Sequence, residues 1–137
     1  MSGTGDIGAR IRQATGLADL LDAAYQGFEE MLALIRLHDD PSDDLFVPMV
    51  LAGAFAASGR DCLGRAPSLP RAFCQPDLEL RPASARAAAE QITVLCRVLA
   101  DAFAGPVLAL APPGDQHACG EAGRCATEVS KLLSEPA

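Results

Sequence analysis

Apolar residues recur along this chain with the period of a helix and almost nowhere with the alternation of a strand. The clearest run is Leu17, Leu21, Ala24, Phe28, Met31, Ile35 and His38, at alternating spacings of four and three. It predicts a helix over 17–39. Leu20, Leu32, Leu34 and Leu37 widen the stripe beyond the narrow seam of a two-stranded coil, which suits a bundle. Asp19, Asp22, Glu29 and Glu30 fall off the seam.

The next stretch has no period. From Leu45 to Ala57 no polar side chain interrupts the chain. A helix apolar all round is either central in a core or shared with a partner chain. The run is shorter than the roughly 20 residues a membrane span needs. Asp43 and Asp44 precede it, where a carboxylate can cap orphan amides and meet the positive end of the helix dipole. Pro48 falls in the first turn, where a missing N–H costs least. The helix continues toward Ser58 or Leu63, with Gly59 and Gly64 as exits, while Pro41 in the Asp39–Asp44 turn stops the helix before it.

A third helix opens at Pro82. Arg86, Glu90, Thr93, Arg97 and Asp101 trace its polar stripe, and Ala85, Ala88, Ala89, Ile92, Leu95, Cys96, Leu99, Ala102 and Phe103 its apolar side. Gly105-Pro106 ends it, and Val107–Ala111 reads as an extra turn. Asp115 caps a last helix whose seam is Ala118, Ala122, Cys125, Val129 and Leu132. Gly120 and Gly123 weaken its first half by roughly 1 kcal/mol each relative to alanine, so it is expected to be well formed from Glu121 to Ser134. At the other end, residues 1–6 are expected to fray, with Asp6 capping a short turn over Ile7–Gln13 that Thr15-Gly16 interrupts.

The expected fold is therefore all-α: one domain over 1–137, an antiparallel up-down-up-down four-helix bundle with a partly frayed segment at 1–15. A long Pro-rich crossover loop, 65–82, joins the second and third helices. Leu69, Phe73, Leu78 and Leu80 would be wasted in a solvated linker, so it is expected to lie along the bundle. A homodimer is the natural extension, because one bundle of this size need not bury both sides of the 45–57 helix.

Composition narrows the function classes. Half the residues are apolar and 21% charged, which is globular rather than disordered, and aromatics are only 4% with no Trp. The formal charge of −7 argues against nucleic acid or an anionic membrane as partner. The amino terminus has neither a basic flank nor an apolar run, so a cytoplasmic location is expected. Five cysteines make an odd count without framework spacing, as for small buried hydrophobes in a reducing compartment.

Candidate chemistry is thin. His117-x-Cys119-x5-Cys125 has the atoms for zinc, but no fourth ligand is nearby, and six helical residues turn the two thiols apart; Cys125 reads as core packing. His38, Asp39, Asp40, Asp43 and Asp44 gather oxygen ligands at one end, without the pattern of a calcium loop. They read as a cap and an acidic turn. Neither histidine has a glutamate three residues before it, which excludes a di-iron bundle. Cys74, beside Phe73, is the best-placed nucleophile, with only His38 and His117 as bases. Arg60, Arg65, Arg71 and Arg81 cluster around the same loop and could grip a carboxylate or phosphate.

No catalytic residue, metal or cofactor is assigned on this basis. The reading is a non-catalytic interaction protein or accessory subunit, self-associating or docking a protein partner through Met49, Val50 and Phe55. The alternative is a small-molecule-binding bundle or small enzyme of accessory metabolism. Its apolar interhelical pocket would be closed by residues 65–81, with Tyr25, Arg71, Cys74 and Arg81 supplying polarity.

Overall fold

A computed structural model describes residues 4–70 and 82–134, with side chains from Ile7 onward. Among the described residues there are six helices and no strand: α1 (Thr4–Gln13), α2 (Leu17–Leu37), α3 (Phe46–Gly64), α4 (Ala85–Phe103), α5 (Pro106–Ala109) and α6 (Pro113–Ser134). The all-α class is as expected.

The seam of α2 faces inward as its spacing predicts, with Leu21, Ala24, Phe28 and Met31 fully buried. The helix start read as a short turn is instead a packed helix. Ile7 and Ile11 of α1 are buried, and both approach Gly27 of α2, as does Leu99 of α4. A polar network on the adjacent face fixes this docking. Arg10 donates to Gln26 Oε1 at 2.6 Å and to Asp22 Oδ2 at 3.2 Å, and Gln26 Nε2 donates back to Asp22 at 3.3 Å. Gln26 is itself buried, so losing its charged donor leaves an amide oxygen without a partner. Arg10→Ala is expected to cost about 1–2 kcal/mol, read as a lower urea midpoint with faster hydrogen exchange in α1 than in α3.

Two helix boundaries differ from expectation. α4 begins at Ala85 rather than Pro82, because Ser84 is the better cap: its side chain accepts from Ala87 N at 3.1 Å. α6 runs unbroken from Pro113, and its glycines do not fray it. Ala118, Cys119 and Ala122 are buried there, and this packing outweighs the propensity loss. Asp115 is not its cap but a buried first-turn residue that reaches across to another element. Its carboxylate accepts from Ser68 N at 3.0 Å and from Ser68 Oγ at 2.8 Å.

The alternating topology is overturned by which ends meet. On α3, Gly53 faces Ile35, Gly59 faces Phe28 and Gly64 faces Tyr25, so α2 and α3 are antiparallel. Ser68 and Pro67, just past α3, meet Asp115 and Gly114 at the start of α6, so α3 and α6 are antiparallel too. The first turns of α4 and the last turn of α6 share a groove, with Phe103 against Gly123 further along. Residues 42–45 and 84–86 line one cleft, which puts the starts of α3 and α4 at the same end. The order is up-down-down-up.

Around the bundle α2 packs on α3, α3 on α6, α6 on α4, and α4 back on α2, with α1 against α2 and α4. α3 and α4 thus run parallel, so the end of one and the start of the other lie about a helix length apart, about 28 Å at 1.5 Å per residue. Twenty residues reach well beyond that, up to about 3.3 Å each. A link that long never obliges its flanking helices to be antiparallel neighbours. Ala66 is buried and Leu69 packs against the core, while Phe73, Leu78 and Leu80 lie outside the described residues.

Candidate functional site

α3 has a buried face and an exposed face of nearly equal greasiness. Met49, Ala52, Ala56, Gly59 and Leu63 turn inward between α2 and α6. Outward, Val47 is 62% exposed, Val50 49%, Leu51 47% and Phe55 38%. The chain folds so because small residues on the inner face let α2 and α6 come close, leaving the larger aliphatics of the outer face with nothing to cover them. Leu45 to Gly59 carries no charged side chain, about 22 Å of helix. Asp43 and Asp44 bound one end. At the other, Arg60 pairs with Glu29 of α2 at 3.7 Å and with its neighbour Asp61 at 3.4 Å.

By length and composition α3 could cross a membrane, with a mean hydropathy of 1.2 and 28% of the stretch buried. It is nonetheless a wall of the bundle, flanked by α2 and α6, whose outer positions include Glu29, Arg124 and Lys131.

Of the expected interface residues, Val50 and Phe55 are on the exposed face and Met49 is not. Met49 is 1% exposed and belongs to the core. Val47 and Leu51, absent from that expectation, take its place. A thirteen-residue run without a polar position has no phase, so nothing in it says which side turns inward.

The expected ligand site is split. Tyr25 lines a cleft of about 440 Å³ with Gly64, Arg65, Ala66, Pro67, Leu69 and Pro70, at the foot of the crossover. Arg71, Cys74 and Arg81 lie outside the described residues. Arg60 is drawn to Glu29 and Asp61 rather than to this cleft.

The acidic turn is occupied by its own backbone. Asp40 accepts from Ser42 N at 3.0 Å and Ser42 Oγ at 2.8 Å, and these bonds hold its carboxyl below the usual range. Asp43 accepts from Leu45 N at 2.8 Å, a bond within the turn before α3, whose N-cap residue Leu45 provides no side-chain cap. Among the described residues no three His, Cys, Asp or Glu side chains are gathered to hold a metal.

Two features escape a reading of one helix at a time. Glu30, placed off the seam by spacing, is fully buried one turn beyond Gly27, where α2 receives α1 and α4. Cys125 is not core packing. It is half-exposed on α6, as Cys62 is on α3. Burial, then Cys62, Glu121 and Glu128, push the Cys125 thiol upward. Cys96 and Cys119 are buried instead, and desolvation raises both to about 12.

Comparison with protein-family models, with characterised proteins and with solved structures finds no match to this chain.

Proposed function

We propose that the protein is a non-catalytic, self-associating helical bundle in which the outer face of α3 pairs with the same face of a second copy about a twofold axis. The carrying observation is the row Val47, Val50, Leu51 and Phe55, open to water along one face of a helix that has no charge between Leu45 and Gly59. Contiguous apolar surface of this kind is costly to leave wet and marks an interaction site. The flanking charges favour a second copy over an unrelated chain. In an antiparallel α3–α3 pair centred on Ala52, Asp44 of each protomer lies opposite Arg60 of the other, and the two helix dipoles oppose. The net charge of −7 on each copy disfavours indiscriminate aggregation through the same patch.

Sedimentation equilibrium of the full chain is expected to give a dimer at micromolar concentration. Val50→Asp acts twice in a symmetric interface. By burying two uncompensated carboxylates it is expected to weaken association by at least about 100-fold, with helicity and thermal midpoint of the protomer unchanged. A wild-type chain that stays monomeric at hundreds of micromolar sinks the reading. So does one that floats with neutral phosphatidylcholine vesicles through the same face.

A second reading rests on a separate observation, the Tyr25 cleft at the foot of the crossover. There a small apolar molecule would lie between Tyr25 and the Gly64–Pro70 segment. Tyr25 is the single Tyr in a chain without Trp, so its fluorescence reports this cleft directly. Titration with an apolar probe such as 1-anilinonaphthalene-8-sulfonate should quench it if the cleft takes ligands. Unquenched emission at saturating probe removes this reading.

A further inference from the structure

The breaks that end α1 and α4 also open a cleft. The two helices approach closely where Gly8 faces Val98. Beyond that point α1 stops at Gln13 and the chain turns through Thr15-Gly16 into α2, while Gly105-Pro106 separates α4 from the short α5. Between these helix ends lies a cleft of about 430 Å³. Its apolar lining comes from four helices: Ile11 of α1, Leu20 of α2, Val98 and Ala102 of α4, and Val107 of α5. Ile11, Leu20 and Val98 are buried core residues, so packing holds this floor in place. It shares no residue with the Tyr25 cleft.

Two charges of opposite sign line the same cleft, Arg12 in the last turn of α1 and Asp101 in the last turn of α4. Both are exposed, and among the described residues neither side chain makes a hydrogen bond or an ion pair, with the other or with a third group. Arg10, two residues earlier, is by contrast engaged by Gln26 and Asp22. Asp101 also stands at the negative end of its helix. Gly105 N bonds Ala102 O at 3.1 Å rather than Asp101 O, and Pro106 has no N–H to offer. An ammonium group is therefore favoured on the α4 wall. A carboxylate is favoured on the α1 wall, where the guanidinium fork matches it.

We propose that this cleft binds a free apolar α-amino acid, its carboxylate on Arg12, its ammonium on Asp101 and its side chain against Ile11, Leu20 and Val107. A fatty acid would satisfy Arg12 but bring its carboxylate near Asp101, and an alkylamine would do the reverse. A zwitterion uses both charges. Exposed ion pairs give little affinity on their own, so burial of the side chain supplies most of the binding, and the two charges select and orient the ligand. The cleft contains no residue of α3, and the proposal does not depend on the dimer.

L-Leucine is the probe, titrated into the full-length isotope-labelled protein. The amide resonances of Leu20, Gly105 and Val107 are expected to move along one saturation curve, while those of Gly64–Leu69 at the Tyr25 cleft stay in place. Isocaproate, which is leucine without its ammonium, and isoamylamine, which is leucine without its carboxylate, should each bind about tenfold more weakly. Arg12→Ala and Asp101→Ala should each weaken leucine binding about tenfold, with circular dichroism unchanged because both positions are exposed. In Arg12→Ala the advantage of leucine over isoamylamine should vanish, and in Asp101→Ala its advantage over isocaproate. A merely structural role for either residue would leave those ratios alone. Either single-charge analogue binding the wild-type chain as tightly as leucine overturns the proposal. So do leucine affinities untouched by both substitutions, shifts confined to the Tyr25 cleft, or no shift at Gly105 and Val107 in tens of millimolar leucine.

Discussion

Phe28→Ala is expected to lower stability by about 3–5 kcal/mol, the largest single-residue effect in the molecule. The ring is fully buried at the centre of the α2 seam, and its edge lies against the bare backbone of Gly59 on α3. Truncation leaves a void on the side where the neighbour has no side chain to move in. Gly59→Ala tests the same contact from the other face. A methyl there would come within 2.8 Å of Phe28 Cζ and 3.0 Å of Cδ1, closer than carbon atoms tolerate.

In an exposed helix this substitution would stabilise by roughly 1 kcal/mol. Here overpacking should outweigh that and give a net loss of about 1–2 kcal/mol. The pair is not additive, because the smaller side chain of Phe28→Leu makes room for the methyl. The double variant Phe28→Leu/Gly59→Ala is expected to be more stable than the sum of its parts by at least about 1 kcal/mol. Urea melts of the four proteins close the cycle. An additive result would mean that α2 and α3 do not meet at this point.

Asp115→Ala is the second large effect, about 2–3 kcal/mol. Its carboxylate is fully buried, accepts twice from Ser68, and lies in the first turn of α6, where the helix dipole favours negative charge. Ser68→Ala removes only the Oγ bond and leaves the backbone bond, so it should cost less, about 1 kcal/mol. Asp115→Ala should also release the segment after α3 from its anchor and speed tryptic cleavage at Arg65 several-fold, a change that Ser68→Ala reproduces only weakly. Equal cleavage rates in all three proteins would separate the bond from the anchoring assigned to it.

The helices were legible because the period of 3.6 is written into Leu17–Ile35 and into the polar stripe of α4, and the breakers Pro41 and Gly105-Pro106 stand between them. Their arrangement was not. A twenty-residue link between α3 and α4 is compatible with either sense of the next helix. Small residues favour close pairs without naming the partner, so the pairing of α3 with α6 is a tertiary fact.

The candidate surface was legible in kind but not in phase. An unbroken apolar run announces a face without solvent-loving residues, yet Met49 and Val47 are indistinguishable until α2 and α6 claim one side. Glu30 was missed for a related reason. Its burial is set by the helices packed over α2, not by its place in the period of α2 itself. The isoleucines of α1 were the available signal, since Ile7 and Ile11 need a groove, and Gly27 supplies it.

The crossover divides assembly of the chain into two local tasks and a remote one, the docking of α6 on α3 and of α4 on α1 and α2. α2 with α3, and α4 with α6, are each hairpins whose contacts close over short loops, so both are expected to form before the halves meet. The α3–α6 seam joins positions some sixty residues apart, between Cys62 and Cys125, and must wait for both halves. Chains carrying 1–70 and 82–137 separately hold one complete hairpin each, and reassociation along that seam would rebuild the bundle without the covalent link.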